Sequence, residues 1–181
     1  MNSLKPKGAK PLLMLLLVFV LPVVVAKLVL SMNLYHGGAT NKGQLLTPDT
    51  SYSSLAMENP QPKSWQIIYL LPSQCDNTCL DRLYILHQSH IALGRDQNRV
   101  KTIILLQPSS DLEALAQFKF DTANISQQLA EMMLEQELII VDPLGSLVMR
   151  YKQVNDKQEQ ILLGKAMVAD LRKMLKLSRV G

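Results

Sequence analysis

From residue 65 onward, apolar runs of strand length alternate with segments of helical periodicity. Trp65–Leu71 and Val100–Leu106 are mostly apolar and rich in β-branched or aromatic residues, which predicts two buried strands. Leu138–Val141 and Leu147–Tyr151 predict two more strands. The Asp-Pro-Leu-Gly sequence between these two carries Pro and Gly at turn positions, so we expect them to pair as a hairpin.

Helical spacing separates these strands. Leu80, Leu83 and Leu86 form one apolar stripe after the first strand. Further helices are predicted over Leu112–Phe118, capped by Ser110 or Asp111, over Ile125–Leu134, and over Gly164–Leu177, which follows a polar, turn-like stretch at 155–158. The resulting order, β–α–β–α–β–β–α, predicts an α/β fold with a mixed sheet flanked by helices.

The N-terminal part of the chain contains a long uncharged apolar run. Pro11–Ala26 has no charged residue, and with the continuation to Met32 the run is about as long as the twenty or so residues that a membrane-spanning helix needs. Lys5, Lys7 and Lys10 precede it, so the positive-inside rule places the N-terminus in the cytoplasm and the rest of the chain outside it. We therefore expect a single-pass inner-membrane protein with a periplasmic C-terminal domain.

A cleaved signal peptide is the competing hypothesis for this segment, because Val24-Val25-Ala26 weakly matches a cleavage site. The apolar run continues past that point, which favours an uncleaved anchor. The predicted division is a cytoplasmic N-terminus over 1–10, an anchor over 11–32, a linker and entry segment over 33–62, and a domain over 63–181. Within the entry segment, residues 43–46 predict a short edge strand or the arm of a hairpin.

Charge adds little to this picture. The 181 residues carry a net charge of +4, with basic residues concentrated at the two ends of the chain. In the C-terminal helix they alternate with apolar residues at helical spacing and lack interleaved aromatic groups. This pattern is typical of a solvated helix face, so we expect no nucleic-acid partner.

The candidate chemistry lies in the two cysteines, Cys75 and Cys79, at the junction of the first buried strand with a helix. A thiolate at a helix start is stabilised by unpaired backbone N–H groups and by the helix dipole. Asn77 and Thr78 are the expected N-caps. Asp76 and Asp81 oppose the helix-start effect, since nearby negative charge disfavours a thiolate.

The C-x-x-x-C spacing is compatible with three roles. Residues four apart on a helix lie about 6 Å apart, within reach of a disulfide. The pair could therefore be a structural staple, although so small a loop removes little entropy from the unfolded chain. It could exchange disulfides with a partner, or it could bind a soft metal ion such as Cu(I) or Zn.

This combination of anchor, strand and C-x-x-x-C motif resembles the thioredoxin-like fold and, within it, the Sco-like group. The similarity covers about residues 43–177 and is carried by Trp65–Cys79 and by the late hairpin Leu138–Tyr151. Sco-like proteins are membrane-anchored and help to assemble the copper centre of cytochrome c oxidase. The resemblance implies a redox-active or copper-binding Cys75–Cys79 pair and a partner such as an oxidase subunit or a redox protein.

The sequence departs from that group at the distal ligand. Copper-binding Sco proteins add a histidine just before the late hairpin, whereas residues 131–137 here contain none. His36 lies in a glycine-rich loop segment, and His87 and His90 lie two to three helical turns beyond Cys79, too far to share a metal with it. Met132 and Met133 are closer to the expected position, and thioethers can bind Cu(I), although methionine usually fills a core.

Three functional hypotheses follow. In the first, the protein exchanges disulfides, with Cys75 as the exposed nucleophile and Cys79 as the resolving thiol. In the second, both cysteines hold Cu(I) as a metallochaperone, with the third ligand unidentified. In the third, the domain is a non-catalytic scaffold in oxidase assembly. Whether the protein is an enzyme, namely a thiol–disulfide oxidoreductase, depends on which of the three holds.

Overall fold

The computed structural model describes residues 10–32, 41–133 and 137–178. The chain divides into two units, which are described separately, and the second unit begins at Asn41. The first contains helix α1, Lys10–Ser31, whose apolar side chains are largely exposed. Among the described residues it is the one helix long and apolar enough to cross a membrane, and it confirms the predicted apolar segment.

The second unit is built on a six-stranded mixed sheet. Its strands are β1 (Gln44–Leu45), β2 (Trp65–Leu70), β3 (Val100–Leu106), β4 (Asp121–Asn124), β5 (Leu138–Val141) and β6 (Leu147–Tyr151). Its helices are α2 (Asn77–Ala92), α3 (Gln127–Met132) and α4 (Lys157–Leu177), with short 3-10 helices at Gly94–Arg99 and Leu112–Leu115. The predicted α/β class with a mixed sheet is therefore confirmed.

The strands lie in the order β1-β6-β5-β2-β3-β4. β2 and β3 are parallel, as are β3 and β4, whereas β5 is antiparallel to both β2 and β6. β2 is buried along its whole length because it lies in the middle of the sheet with apolar clusters on both faces. Ile67, Tyr69 and Leu71 pack beneath α2 and α4, and the alternate residues Ile68 and Leu70 face Leu129 of α3.

The predicted helices and strands differ from the observed ones in three places. Leu112–Phe118 forms only a short 3-10 helix, and the strand β4 that follows it was not predicted. β4 has the sequence Asp-Thr-Ala-Asn and is mostly exposed, so it lacks the apolar signature of a strand and forms through its parallel pairing with β3. Helix α4 begins at Lys157, within the stretch predicted as a turn, because Asp156 caps it.

Residues 41–62 pack with the domain. β1 pairs with β6 as an edge strand, and the 2%-exposed Tyr52 lies in the cluster on the α3 face of the sheet. The Tyr52 hydroxyl donates a hydrogen bond to Gln66 Oε1 at 2.8 Å, which satisfies a buried polar side chain of β2. Burial raises the pKa of Tyr52 far above its ordinary value.

Candidate redox site

The two cysteines meet at the carboxyl end of β2. Cys75 and Cys79 are joined by a disulfide, with their Cα atoms 5.2 Å apart. Cys75 lies in the loop before α2 and is partly buried, whereas Cys79 is in the first turn of the helix and is only 2% exposed. Cys79 therefore packs into the core beneath α2, and Cys75 is the more accessible of the two residues.

The cap of α2 differs from the prediction. Asp76, not Asn77 or Thr78, is the N-cap residue, and its Oδ1 accepts the Cys79 backbone N–H at 2.9 Å. An extended residue with a short carboxylate side chain suits this position. The cap places a carboxylate in the same turn as the disulfide and fixes the backbone of Cys79.

The loop after β3 is hydrogen-bonded to the loop that carries Cys75. Asp111 Oδ2 accepts the backbone N–H of Cys75 at 3.1 Å, and the Asp111 N–H donates to the Pro72 carbonyl at 2.9 Å. Ser110 Oγ donates to the Leu71 carbonyl at 2.7 Å. The two loops follow neighbouring parallel strands, so they meet at the carboxyl ends of β2 and β3. The sequence pattern predicts Ser110 or Asp111 only as a helix cap, because their contacts to the loop of Cys75 depend on tertiary packing.

A buried polar group lies beneath the first turns of α2. Arg82 is 2% exposed, its Nη2 donates to the Val154 carbonyl at 3.0 Å, and its Nη1 is buried without a hydrogen-bond partner among the described residues. Burial lowers the pKa of Arg82, and the charge of the nearby Tyr69 acts in the opposite direction. Gln160 of α4 donates from Nε2 to the Thr78 carbonyl at 3.3 Å.

Tyr69 is fully buried between these groups. Burial raises the pKa of Tyr69 to about 12, with a further increase from Asp76 and a decrease from Arg82. The pKa of Tyr69 therefore depends on the charges of both Asp76 and Arg82. The sequence did contain a signal for Arg82, since it lies three residues after Cys79 on the stripe that continues through Leu83 and Leu86. A charged residue on a buried stripe is rare unless it has a specific role.

The remaining charged residue near the site is compensated. Asp81 Oδ1 lies 2.7 Å from Lys157 Nζ, and the lysine is 62% exposed. The pair is a surface ion pair between α2 and α4. Asp81 therefore acts on the cysteines less than its position in the sequence suggests.

The candidate distal ligands do not gather at the cysteines. Met133 is fully buried on the face of the sheet opposite to Cys79, in the cluster that contains Ile68 and Leu129. His87 packs against Phe118 and Phe120, with ring centroids 6.1 Å apart in each case. The His90 ring lies 3.0 Å from the Val100 carbonyl. His36 lies outside the described residues.

The donor set therefore does not fit a Sco-type copper site. Within residues 10–32, 41–133 and 137–178, no group of three or more His, Cys, Asp or Glu side chains could hold a metal ion. Met133, a candidate third soft donor, faces the other side of the sheet and cannot join the two thiolates. The joined pair that the structure shows is suited to forming, breaking and exchanging a disulfide.

Comparison with known proteins assigns the domain. Residues 65–178 match the family model described as transmembrane-like, thioredoxin-like, C-terminal domain. The chain belongs to this family. No curated protein matches the chain.

A solved Sco1 structure has the same fold as this transmembrane-like, thioredoxin-like chain. The solution structure of apo Sco1 from Thermus thermophilus is 18% identical, with a TM-score of 0.51, and the alignment covers 76% of this chain and 99% of that one. Yeast Sco1 with copper bound is 16% identical, with a TM-score of 0.46 over 64% of this chain and 80% of that one. The predicted thioredoxin-like, Sco-like fold with an N-terminal apolar helix is confirmed.

Proposed function

We propose that this protein is a membrane-anchored thiol–disulfide exchange protein that acts through Cys75 and Cys79. The observation that carries the proposal is the unequal burial of the two sulfurs at the β2–α2 junction. Cys75 is partly exposed in a loop, and Cys79 is 2% exposed beneath it. An incoming sulfur reaches Cys75 first, and Cys79 is placed to break or form the bond to Cys75 from below.

Because of this unequal burial, Cys75 forms the mixed disulfide with the partner and Cys79 resolves it. Exchange requires attack of a thiolate on a disulfide sulfur, and access decides which sulfur reacts. The hydrogen bond from the Cys75 N–H to Asp111 fixes the loop on which the accessible sulfur lies. The protein would then be a thiol–disulfide oxidoreductase.

The proposed setting is assembly of cytochrome c oxidase on the outer side of the inner membrane. The fold that the chain shares with Sco1 from Thermus thermophilus supports a role of this kind, and the lysines before the apolar run support a cytoplasmic N-terminus with a periplasmic domain. The partner would be an oxidase subunit or a redox protein. In an oxidising compartment the Cys75–Cys79 disulfide persists until a partner reduces it.

Trapping of mixed disulfides tests the proposal. In cells expressing the full chain, Cys79→Ser should accumulate a mixed disulfide between Cys75 and a partner, because the resolving sulfur is gone. Cys75→Ser is the matched control and should trap far less, since the remaining thiol is buried. Equal trapping by both variants, or by neither, would contradict the proposal.

Two further measurements test the setting. A membrane-impermeant maleimide should label Cys75 of the reduced protein in intact spheroplasts if the domain is periplasmic. A Cys75→Ser/Cys79→Ser double variant should lose the support that the chain gives to oxidase assembly. Full support by the double variant would instead show a docking role that needs no thiol chemistry.

A further inference from the structure

We infer that Arg82 stabilises a thiolate on Cys79, so that the Cys75–Cys79 disulfide accepts electrons readily and oxidises the dithiol of a partner protein. This inference rests on the proposed function and adds the direction of exchange and the substrate class. Its starting point is a positive charge buried next to the disulfide. Arg82 is 2% exposed and is absent from the ion pairs of the described residues.

The guanidinium is only partly satisfied. One nitrogen, Nη2, donates to the Val154 carbonyl, and the other, Nη1, is buried without a hydrogen-bond partner in the described part of the chain. Arginine keeps its charge at neutral pH even where burial lowers its pKa, as it does here. A buried charge without a counter-charge is costly, so the oxidised form carries an unfavourable interaction.

The helix geometry brings this charge to Cys79. Residues three apart on a helix are neighbours on its surface, with Cβ atoms about 5–6 Å apart. Helical side chains lean toward the N-terminus of the helix, so Arg82 leans over the turn that holds Cys79. Both residues are buried, and Tyr69 links them because it packs in the cluster that contains Cys79 and interacts electrostatically with Arg82.

The other charges around the site favour Cys79 over Cys75 as the thiolate. From the loop after β3, Asp111 binds the Cys75 N–H, and its negative charge opposes a second one on Cys75. From α2, Asp76 accepts the Cys79 N–H and its negative charge opposes a thiolate on either cysteine, whereas Asp81 is paired with Lys157 of α4. From β2, Tyr69 is neutral at physiological pH. Arg82 is thus the one uncompensated buried positive charge among these groups.

The electron balance follows from this placement. A partner thiolate attacks Sγ of Cys75, the Cys75–Cys79 bond breaks, and its electron pair stays on Sγ of Cys79, which Arg82 stabilises. The second partner thiol then releases its proton to solvent and attacks the partner sulfur of the mixed disulfide, and Cys75 leaves and takes up a proton. The partner dithiol is oxidised by two electrons to a disulfide, and this protein is reduced to the Cys75 thiol and the Cys79 thiolate.

The first experiment uses the full chain in detergent and no partner protein. In a Cys75→Ser background, Cys79 is the only thiol, and its titration is followed by the ultraviolet absorbance of the thiolate. We expect a pKa clearly below the ordinary thiol value of about 8.5. A value at or above that figure would overturn the inference without any change to Arg82.

The second experiment changes the charge. Arg82→Met should raise the pKa of Cys79 by about one unit or more, and with both cysteines present it should make reduction by glutathione about tenfold less favourable. Arg82→Lys should keep most of the effect. Lys165→Met removes an equal charge at an exposed position of α4 and should leave both quantities near their original values.

A folded Arg82→Met variant with an unchanged Cys79 titration would show that Arg82 only supports the loop at Val154. The titration needs no partner, so its result is independent of mixed-disulfide trapping. If Arg82→Met raises the pKa of Cys79 as expected but Cys79→Ser traps no partner, the proposed function alone is rejected. If Cys79→Ser traps a partner but Arg82→Met leaves the pKa of Cys79 unchanged, the inference alone is rejected.

Discussion

The carboxylate of Asp170 in α4 accepts the backbone N–H of Gly43 at 3.0 Å, although 127 residues separate them in the sequence. The same oxygen accepts the Lys42 N–H at 2.6 Å and the Tyr151 hydroxyl at 3.0 Å. Asp170 is 1% exposed. One buried carboxylate therefore joins the first residues of the domain to its last helix and to the end of β6.

Removing this charge should loosen the entry to β1. Asp170→Asn keeps the size of the side chain but weakens three hydrogen bonds to one oxygen, and we expect a loss of about 1–3 kcal/mol in the free energy of unfolding. Denaturant unfolding of the full chain in detergent measures it. Asp49→Asn, at an exposed position, is the control and should change stability by less than about 0.5 kcal/mol.

Gly43 itself should not accept a side chain. A Cβ at this position would lie 2.5 Å from Met149 Cγ and 2.6 Å from the Tyr151 ring, so Gly43→Ala must displace β1 or its neighbours. We expect destabilisation of about 1–3 kcal/mol and faster hydrogen exchange at Leu46, whose N–H donates to the Val148 carbonyl. Gln44→Ala, one residue along and exposed, is the matched control. Unchanged exchange in Gly43→Ala would contradict the packing described here.

The two aspartate caps allow a comparison of structure with chemistry. Asp76 and Asp156 each accept the N–H three residues on at 2.9 Å, in α2 and α4 respectively. Either change to Ala should lower the free energy of unfolding by about 1 kcal/mol. Only Asp76→Ala should also alter the equilibrium with glutathione, because it removes a negative charge from the turn that holds Cys79. An equal redox change in Asp156→Ala would show that loss of helix stability, not local charge, sets the equilibrium.

The parts of the fold that follow from burial could be predicted from the sequence. β2, β3 and the late hairpin carry apolar runs, because they form the centre of the sheet, and their positions agree with the structure within a residue. β4 could not be predicted, since its polar residues gain their strand geometry from pairing with β3 and not from their own pattern.

The site likewise has local features that the sequence predicts and tertiary contacts that it does not. The spacing of Cys75 and Cys79 and the junction with α2 are local features, so the sequence predicts them. The contact from Asp111 to Cys75 spans 36 residues and the one from Arg82 to Val154 spans 72, and both depend on how separate loops meet. The unequal burial of the two sulfurs also depends on tertiary packing, because Cys79 is covered by residues from β2 and α4.

Buried tyrosines should make the protein sensitive to alkali. Burial raises the pKa of Tyr69 to about 12 and raises that of Tyr52 and Tyr151 further, with Asp170 adding to the effect at Tyr151. The unfolded chain loses these protons near pH 10, whereas the folded chain retains them. The unfolded state then binds fewer protons, so stability that is fully present below pH 10 is lost as the pH rises toward 12 and above.

Each such tyrosine contributes a slope of up to about 1.4 kcal/mol per pH unit in that window. Denaturant unfolding of the full chain between pH 9 and pH 12, followed together with tyrosinate absorbance, measures the slope. Tyr69→Phe should reduce the slope by up to about 1.4 kcal/mol per pH unit, because a ring that does not ionise then replaces the phenol in both states. A free energy of unfolding that stays constant across the window would mean that these three phenols ionise as readily in the folded chain as in the unfolded one.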